Sequence, residues 1–182
     1  MLGKWLRCSQ CTLFNGRRDI VPGRGNLYGW LLIVGQAPGV EEELGSRPFI
    51  GSAGKLLRRC AVEAGLDLRG SFITNAVLCY PPANRPPSSR ELMCCSARLH
   101  HTLETVGQVV LCLGRVAADA CLGRAWRWNQ IVQKDKKLWL PTKHPSWYLK
   151  REEKEIGGLV KVLKAVAHMC PPWEGANVDM VV

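Results

Sequence analysis

The chain has 182 residues, of which 47% are hydrophobic and 22% are charged, a balance typical of a folded globular domain and not of a disordered chain. The longest uncharged apolar stretch, around residues 30–35, is far shorter than the ~20 residues that a membrane span needs. Residues 1–7 contain no apolar core of signal-peptide length, so we expect a cytoplasmic protein without a membrane partner. The net charge of +10 favours a polyanionic partner such as nucleic acid.

Short apolar runs and amphipathic segments alternate along the chain. In chain order, the pattern predicts a strand over residues 30–35, a helix over 51–64, a strand over 71–77, a helix from about 88 to 106, a strand over 108–113, a helix over 115–122, a strand over 137–142 and a helix over 152–169. Strands that alternate with helices form a parallel sheet covered on both faces. We therefore predict a three-layer α/β/α protein with a four-stranded parallel sheet. Its single domain should cover residues 1–170 and be followed by a C-terminal tail over 171–182.

Polar or glycine-containing segments follow three of the four predicted strands. Gln36-Ala-Pro-Gly39 comes directly after the first strand, Asn75 lies near the end of the second, and His144-Pro145 follows the fourth. The carboxyl ends of parallel strands lie along one edge of a sheet, where α/β proteins bind their ligands. The sequence therefore predicts a ligand site built from these three segments.

Nine cysteines is a high number for a chain expected in a reducing compartment. Cys8 and Cys11 form a C-x-x-C pair, Cys79 ends the second predicted strand, and Cys94 and Cys95 lie in the helix that follows. One local pair and one pair formed by a strand end and a helix can together make a four-thiolate site. From the residues alone, structural zinc, an iron–sulfur cluster and a redox-active or idle C-x-x-C pair all stay open.

Several segments of the chain, in order and spacing, resemble the family-four uracil-DNA glycosylases of prokaryotes and their viruses. The matching segments are Cys8-x-x-Cys11, Val21-Pro-Gly-Arg-Gly25, Val34-Gly-Gln-Ala-Pro-Gly39 with Glu42-Glu43, Arg47-Pro-Phe-Ile-Gly51 with Ala53-Gly54, Phe72-Ile-Thr-Asn75, Cys79-Tyr-Pro-Pro-Ala-Asn-Arg85, Cys95, Leu113-Gly114 and His144-Pro-Ser146. The resemblance covers about residues 5 to 165, and any one of these segments alone would be a weak signal.

The resemblance implies a cofactor and a fold. The family carries a [4Fe–4S] cluster, so its ligands here should be Cys8, Cys11, Cys79 and Cys95, with Cys94 as a neighbouring competitor for the fourth position. The family fold is a four-stranded parallel sheet between helices, which agrees with the pattern of predicted strands.

The same resemblance gives roles to three residues of the predicted site. Asn75 has a carboxamide that can pair with uracil O4 and N3–H, a pattern that cytosine inverts. Phe49 would stack on the uracil ring, and His144 would donate a hydrogen bond to uracil O2 as negative charge develops there. The structural alternatives are an Asn that caps a turn, a Phe that packs in the core and a His that is satisfied within its loop.

The loop after the first strand departs from the family pattern. Gln36 stands where the family usually has Glu, and in family-one glycosylases a Gln at this place is followed by an Asp that positions water, where this chain has Ala37. Neither family's carboxylate is therefore present. We expect Gln36 and Ala37 to contact the sugar and base, and Glu42 to compensate for the missing acid, unless Glu42 is only a solvated loop residue.

The segment after His144 resembles the loop with which the family enters the DNA minor groove. Tyr148 or Leu149 would fill the space that a flipped base leaves, as apolar wedges do elsewhere. Nearby polar and basic residues are expected to contact DNA, chiefly its phosphates; they are Lys143, Ser146, Lys150 and Arg151, with Arg85 and Arg90 around the proline-rich loop.

The sequence is thus identified as a member of this family. We expect a monomeric, monofunctional uracil-DNA glycosylase that uses water as nucleophile, forms no covalent intermediate and acts on single- or double-stranded uracil-containing DNA in base-excision repair. The main alternative is a DNA-binding superfamily member with weak or lost activity, because Gln36 and Ala37 depart from the pattern. A second alternative is a zinc-stabilised nucleic-acid-binding module that is not an enzyme.

Overall fold

A computed structural model describes Trp5 and residues 7–171 of the chain. Its six strands are β1 (Arg24–Gly25), β2 (Leu31–Gly35), β3 (Ser71–Asn75), β4 (Val109–Leu113), β5 (Val132–Lys134) and β6 (Lys137–Thr142). The helices are α1 (Val40–Gly45), α2 (Ser52–Glu63), α3 (Ser89–Thr105), α4 (Arg115–Leu122), α5 (Pro145–Tyr148) and α6 (Glu153–Met169). Residues 172–182 of the predicted tail lie outside the described residues.

The strands form one sheet in the order β1-β3-β2-β4-β6-β5. The four central strands are parallel, as predicted, whereas β1 and β5 pair antiparallel with their neighbours at the two edges. The prediction of four strands is therefore wrong in number, although the α/β class is confirmed. The edge strands were not predicted because each has only two or three residues, partly or fully exposed, and neither forms an apolar run.

Both faces of the central strands are buried, because residues alternate between two cores. On one face, Leu31 and Ile33 of β2 pack in a core with α2 and α6; on the other, Leu32 and Val34 pack with α3 and α4. A strand covered on both faces is apolar throughout, which explains the continuous apolar run in the sequence. The arrangement has the three predicted layers.

Helix termini follow the local sequence signals. Ser88 caps α3, since its Oγ accepts from the Glu91 N–H at 3.3 Å while the Glu91 carboxylate accepts from the Ser88 N–H at 2.7 Å. The short helices α1 and α5 were not predicted, because four to six residues carry too little periodicity. No helix within the described part of the chain is long and apolar enough to span a bilayer.

Candidate active site

A cleft of about 400 Å³ opens at the carboxyl ends of the parallel strands. Its walls come from the loop after β2, the end of β3, the start of α2 and the segment after β6. The residues predicted for the uracil pocket all line it; they are Gln36, Ala37, Glu42, Phe49, Asn75 and His144, together with Ser146. Parallel strand ends thus bring together segments that are more than a hundred residues apart.

Asn75 is the last residue of β3 and is only 2% exposed. Its backbone is fixed by pairing with Gly35 in β2. A side chain at position 35 would clash, since a Cβ there would lie 2.3 Å from the Asn75 Oδ1. Among the described residues, none hydrogen-bonds the Asn75 carboxamide, which differs from the behaviour of a turn-capping Asn. The amide is therefore free to bind a ligand in the cleft.

Arg98, in α3, holds the main chain at this point, a role that was not predicted from the sequence. Its Nη2 donates to the carbonyl oxygens of Asn75 and Ala76 at 2.6 and 2.9 Å, and its Nη1 donates to the Thr74 Oγ1 at 3.2 Å. Arg98 is 4% exposed, and burial lowers the pKa of its guanidinium. No local sequence pattern indicated this role, because the burial of Arg98 and of Glu91 on the same helix is seen only in the structure.

Phe49 is buried and has a left-handed backbone with φ of 57°. Such a backbone is strained for a bulky residue and persists only where its surroundings enforce it. The Arg58 Nη1 donates to the Phe49 carbonyl oxygen at 2.9 Å, and this carbonyl lies so close to Gly54 that a side chain at position 54 would collide with it. The Phe49 ring centroid lies 6.0 Å from that of His144, with 34° between the planes, so both rings border the cleft.

His144 immediately precedes α5 and has a defined tautomer. The backbone N–H of Ser146 donates to the His144 Nδ1 at 3.2 Å, and the Ser146 Oγ lies 2.7 Å from the same nitrogen. Burial lowers the pKa of His144 to about 4, so the ring is neutral at pH 7. Because Nδ1 accepts, the proton of the neutral ring is on Nε2, which is left as a donor.

Glu42, in α1, joins two loops of the cleft. Its Oε2 accepts from the Gly39 N–H at 3.0 Å and its Oε1 accepts from the Gly51 N–H at 2.7 Å. A side chain at Gly39 would collide with this carboxylate, since a Cβ there would lie 2.6 Å from Oε2. Glu42 is thus not a freely solvated loop acid: it connects the loop after β2 with the start of α2.

The loop after β6 places only part of its predicted DNA contacts at the surface. Leu149 is 46% exposed, whereas Tyr148 is 4% exposed and packs in the core with α6. The prediction that Tyr148 contacts DNA is therefore wrong, because its aromatic ring is used to anchor the loop. Lys143 and Arg151 both stack on the ring of Trp147, at 3.6 and 4.0 Å from its centroid. Lys150 is exposed beside them.

Arg85 forms an ion pair with Glu91. Its two terminal nitrogens contact the buried carboxylate of Glu91 at 2.7 and 2.9 Å, and this contact holds the pKa of Glu91 down to about 2. The Arg85 side chain is still 42% exposed in this pair, so its contact with the DNA backbone stays a prediction. Releasing Arg85 from Glu91 would leave a buried charge unpaired. No local sequence pattern indicates that Glu91 is buried.

The cysteines predicted as ligands lie close to the segment that follows β3. Cys11, Cys79 and Cys95 pack in a common apolar cluster, and burial raises the pKa of Cys95 to about 11. Burial also raises the pKa of Cys11 and of Cys79, and nearby Cys8 adds a smaller increase to both, as Cys94 does to Cys11. Cys94 instead donates to the Gln10 carbonyl oxygen at 3.2 Å.

Two observations bear on whether these thiols could hold a metal group. In the part of the chain that the structure describes, no group of three or more His, Cys, Asp or Glu side chains has the geometry of a metal site. The donor chemistry nevertheless fits a thiolate-ligated cluster. Cys11, Cys79 and Cys95 lie in one partly apolar region, Cys8 is close enough to affect the pKa of Cys11 and Cys79, and the Arg17 Nη1 lies 3.4 Å from the Cys79 Sγ. A cation in this position stabilises thiolate over thiol.

Comparison with known proteins shows the family to which the chain is similar. Residues 22–171 match the family model described as "Uracil DNA glycosylase superfamily". The chain is 34% identical to a type-4 uracil-DNA glycosylase of Thermotoga maritima, over 85% of this chain and 84% of that protein. It is 35% identical to a type-4 enzyme of Saccharolobus solfataricus, over 77% of this chain and 71% of that protein. A type-4 enzyme of Archaeoglobus fulgidus is 40% identical, over 63% of this chain and 58% of that protein.

Proposed function

The chain belongs to the uracil DNA glycosylase superfamily, among its type-4 members, and we propose that it hydrolyses the bond between uracil and deoxyribose in DNA. This proposal rests on one observation, which is that two functional groups line the same cleft. One is the buried Asn75 carboxamide and the other is the neutral His144 ring with its donor nitrogen, and neither the amide nor that nitrogen has a hydrogen-bond partner among the described residues.

The first step is capture of the base. A base inside a duplex must be flipped out, at a cost of a few kcal/mol, before an enzyme can reach its glycosidic bond. The Asn75 carboxamide offers one donor and one acceptor, which match uracil O4 and N3–H and mismatch cytosine. Phe49 supplies an aromatic face for the flipped ring. A buried amide left unpaired by the wrong base carries a penalty of about 1–3 kcal/mol, which favours uracil.

The second step is departure of the base. When the glycosidic bond breaks, negative charge develops on uracil, and the His144 Nε2–H can donate to O2. A neutral donor placed in advance stabilises this charge without reorganisation during the reaction, an effect typically worth ~10²–10³ in rate. The water oxygen then bonds to the sugar carbon that uracil leaves, and the water releases one proton to solvent while uracil departs as the anion, so the reaction is hydrolysis without a covalent enzyme intermediate.

The water side of the cleft departs furthest from the family pattern. Gln36 and Ala37 provide no carboxylate there. Each Glu42 oxygen already accepts one backbone N–H, but a carboxylate oxygen has a second lone pair that can accept from water. We assign Glu42 to this role. A chain without sufficient water activation would bind DNA with weak or lost activity, which is the second candidate function.

We assign a [4Fe–4S] cluster to Cys8, Cys11, Cys79 and Cys95. Support comes from their common region and from the neighbouring guanidinium of Arg17. When bound, the cluster would tie the N-terminal segment to the loop after β3, and it would supply no step of the hydrolysis. The protein would act as a cytoplasmic monomer, with Leu149 as the wedge and with Lys143, Ser146 and Lys150 near DNA phosphates.

Release of uracil from defined oligonucleotides tests the proposed function. Wild-type protein should produce alkali-labile abasic sites at deoxyuridine, in single or double strands, and none at deoxycytidine or thymidine. Asn75→Asp should reduce uracil release by about 5–150-fold, which corresponds to ~1–3 kcal/mol, because the carboxylate changes the donor pattern. Slow release of cytosine is the accompanying gain.

Asn129→Asp is the matched control, since Asn129 undergoes the same chemical change at an exposed position that does not line the cleft. It should retain uracil release. Absence of release by the wild type would support the DNA-binding candidate, and full activity of Asn75→Asp would remove Asn75 from the pocket.

A further inference from the structure

Two adjoining cavities lie next to Phe49, and each has basic side chains among its lining residues, although the rest of the inner cavity is mostly apolar. The inner cavity, of about 50 Å³, is lined by Arg24, Arg47 and Arg58, and Phe49 lines both this cavity and the active-site cleft. The outer cavity, of about 650 Å³, is lined by Arg47, Arg58 and Lys55. We call the two cavities together the basic site.

The charges of the basic site are not neutralised by the protein. No acidic residue lines either cavity, and among the described residues none forms an ion pair with Arg24, Arg47 or Lys55. Other basic residues do have carboxylate partners: Arg69 pairs with Asp67, Arg85 with Glu91 and Arg151 with Glu155. The three arginines of the basic site are half-buried. Half-buried guanidinium groups without a counter-ion favour binding of an anion.

Phosphate is the anion that the proposed function brings to this surface. Guanidinium groups bind phosphate oxygens in pairs, and the basic site supplies three such groups. The wide outer cavity gives access for a polymer, and Lys55 adds a further donor there. The position of the basic site next to Phe49 supports a DNA phosphate as its ligand. When a base stacks on the Phe49 ring, the phosphates of the same strand lie within one nucleotide of that ring.

We propose that the basic site binds a backbone phosphate of the DNA strand that carries the uracil, which rests on the function proposed above. The Arg58 Nη1 also donates to the Phe49 carbonyl oxygen at 2.9 Å. A phosphate bound beside Arg58 therefore contacts the same group that maintains the left-handed backbone of Phe49. DNA bound here is held at the residue that borders the base pocket.

The test measures whether one particular DNA phosphate is bound by Arg24 and Arg47. The charges of these two residues have no carboxylate partner among the described residues. Oligonucleotides carry a single 2′-fluorinated deoxyuridine, which resists hydrolysis, and one neutral methylphosphonate at each of three positions on either side. Wild-type affinity, measured by fluorescence anisotropy, should fall about 10-fold or more at one position. The double variant Arg24→Gln/Arg47→Gln should bind the unmodified strand about 10–100-fold more weakly and show no further decrease at that position.

The control is Lys161→Gln/Lys164→Gln, which removes the same charge from the exposed face of α6. It should keep the position-specific decrease in affinity seen in the wild type.

In the Arg24→Gln/Arg47→Gln variant, the log–log slope of affinity against salt should become shallower by about 0.7 for each phosphate of a single strand that is no longer neutralised. Should the double variant unfold, the single variants Arg24→Gln and Arg47→Gln serve the same comparison with smaller effects.

The outcomes separate the basic site from the proposed function. Equal methylphosphonate effects in the wild type and the double variant at every position would overturn the DNA assignment. Calorimetry could instead show that inorganic phosphate binds the wild type but not the double variant, while methylphosphonates weaken DNA binding equally in both proteins. That result would overturn the DNA assignment in favour of a free phosphate ligand. Wild-type protein that shows the coupling but releases no uracil from the matching deoxyuridine strand would refute the glycosylase and retain the basic site.

Discussion

Asn75 and His144 are held at the cleft by different kinds of contact. Strand pairing and the guanidinium of Arg98 fix the main chain of Asn75, and its carboxamide is left without a partner among the described residues. Ser146 fixes one ring nitrogen of His144 and leaves the other as a donor. A variant that disturbs the support of either residue should therefore lower activity without removing the reactive group itself.

The protonation state of His144 gives a prediction for pH. Burial lowers the pKa of His144 from 6.5 to about 4, so the ring is already neutral across pH 5–8. The single-turnover excision rate should therefore show no decrease attributable to His144 as pH rises from 5 to 8, and it should fall as pH drops towards 4. A rate that declines between pH 6 and 7.5 as pH rises would contradict a neutral donor.

The same shift affects stability with a defined sign. In the unfolded chain His144 binds a proton below about pH 6.5, but in the folded protein only below about pH 4. The unfolded state therefore holds more protons in this window, and the free energy of unfolding should decrease as pH falls from 6.5 to 4. His144→Ala should flatten that decrease in chemical denaturation measured across the window.

Arg98 is predicted to act as a positioning residue for Asn75. Arg98→Lys keeps the charge but cannot reach the three acceptors that the guanidinium contacts at 2.6, 2.9 and 3.2 Å. Buried acceptors left unpaired cost about 1–3 kcal/mol each. We expect a lower unfolding midpoint and weaker inhibition by free uracil, with Arg98→Met more severe than Arg98→Lys.

Arg90→Lys, at an exposed position of the same helix, is the control for Arg98 and should be neutral. A purely structural role would lower the unfolding midpoint and leave the inhibition constant of uracil in the folded protein unchanged. That pattern would argue against positioning.

At the level of elements, the proposed cluster connects the N-terminal segment with the loop after β3 and with α3. Cys8→Ser, Cys11→Ser and Cys79→Ser should each abolish the visible absorbance near 400 nm of purified protein and reduce its solubility. Cys60→Ser and Cys121→Ser are buried controls outside this region and should keep the colour. Equal absorbance in all five variants would show that the ligand assignment is wrong, and colourless wild-type protein with bound zinc would replace the cluster with zinc.

Some elements of the fold were predictable from sequence because one local pattern determined each of them. Strands β2 and β4 are continuous apolar runs buried on both faces, and the capping box of α3 lies within four residues. Strands β1 and β5 depend on pairing with a neighbouring strand, which leaves no local pattern. Tyr148 and Arg85 show the same limit at the site, since only the packed structure reveals that Tyr148 is in the core and that Arg85 has a buried partner.

Across the whole molecule, the net charge of +10 is distributed over surfaces with different environments. Lys143 and Arg151 stack on Trp147 beside the exposed Leu149, while the basic site lies next to Phe49. Phosphate contacts from both places should make DNA affinity fall as salt rises, since bound counter-ions are released on binding. A variant that affects only the chemistry should keep the salt dependence of the wild type.

Single-turnover uracil release by His144→Ala and Gln36→Ala, with DNA affinity measured alongside, tests most directly whether leaving-group stabilisation carries the reaction. His144→Ala should lower the rate by ~10²–10³ with little change in affinity, because its donor acts only in the transition state. Gln36→Ala should cost less, and Gln36→Glu should hold or raise the rate. A nearly unchanged rate for His144→Ala together with an inactive Gln36→Ala would contradict leaving-group stabilisation and assign the main catalytic effect to water activation through Gln36.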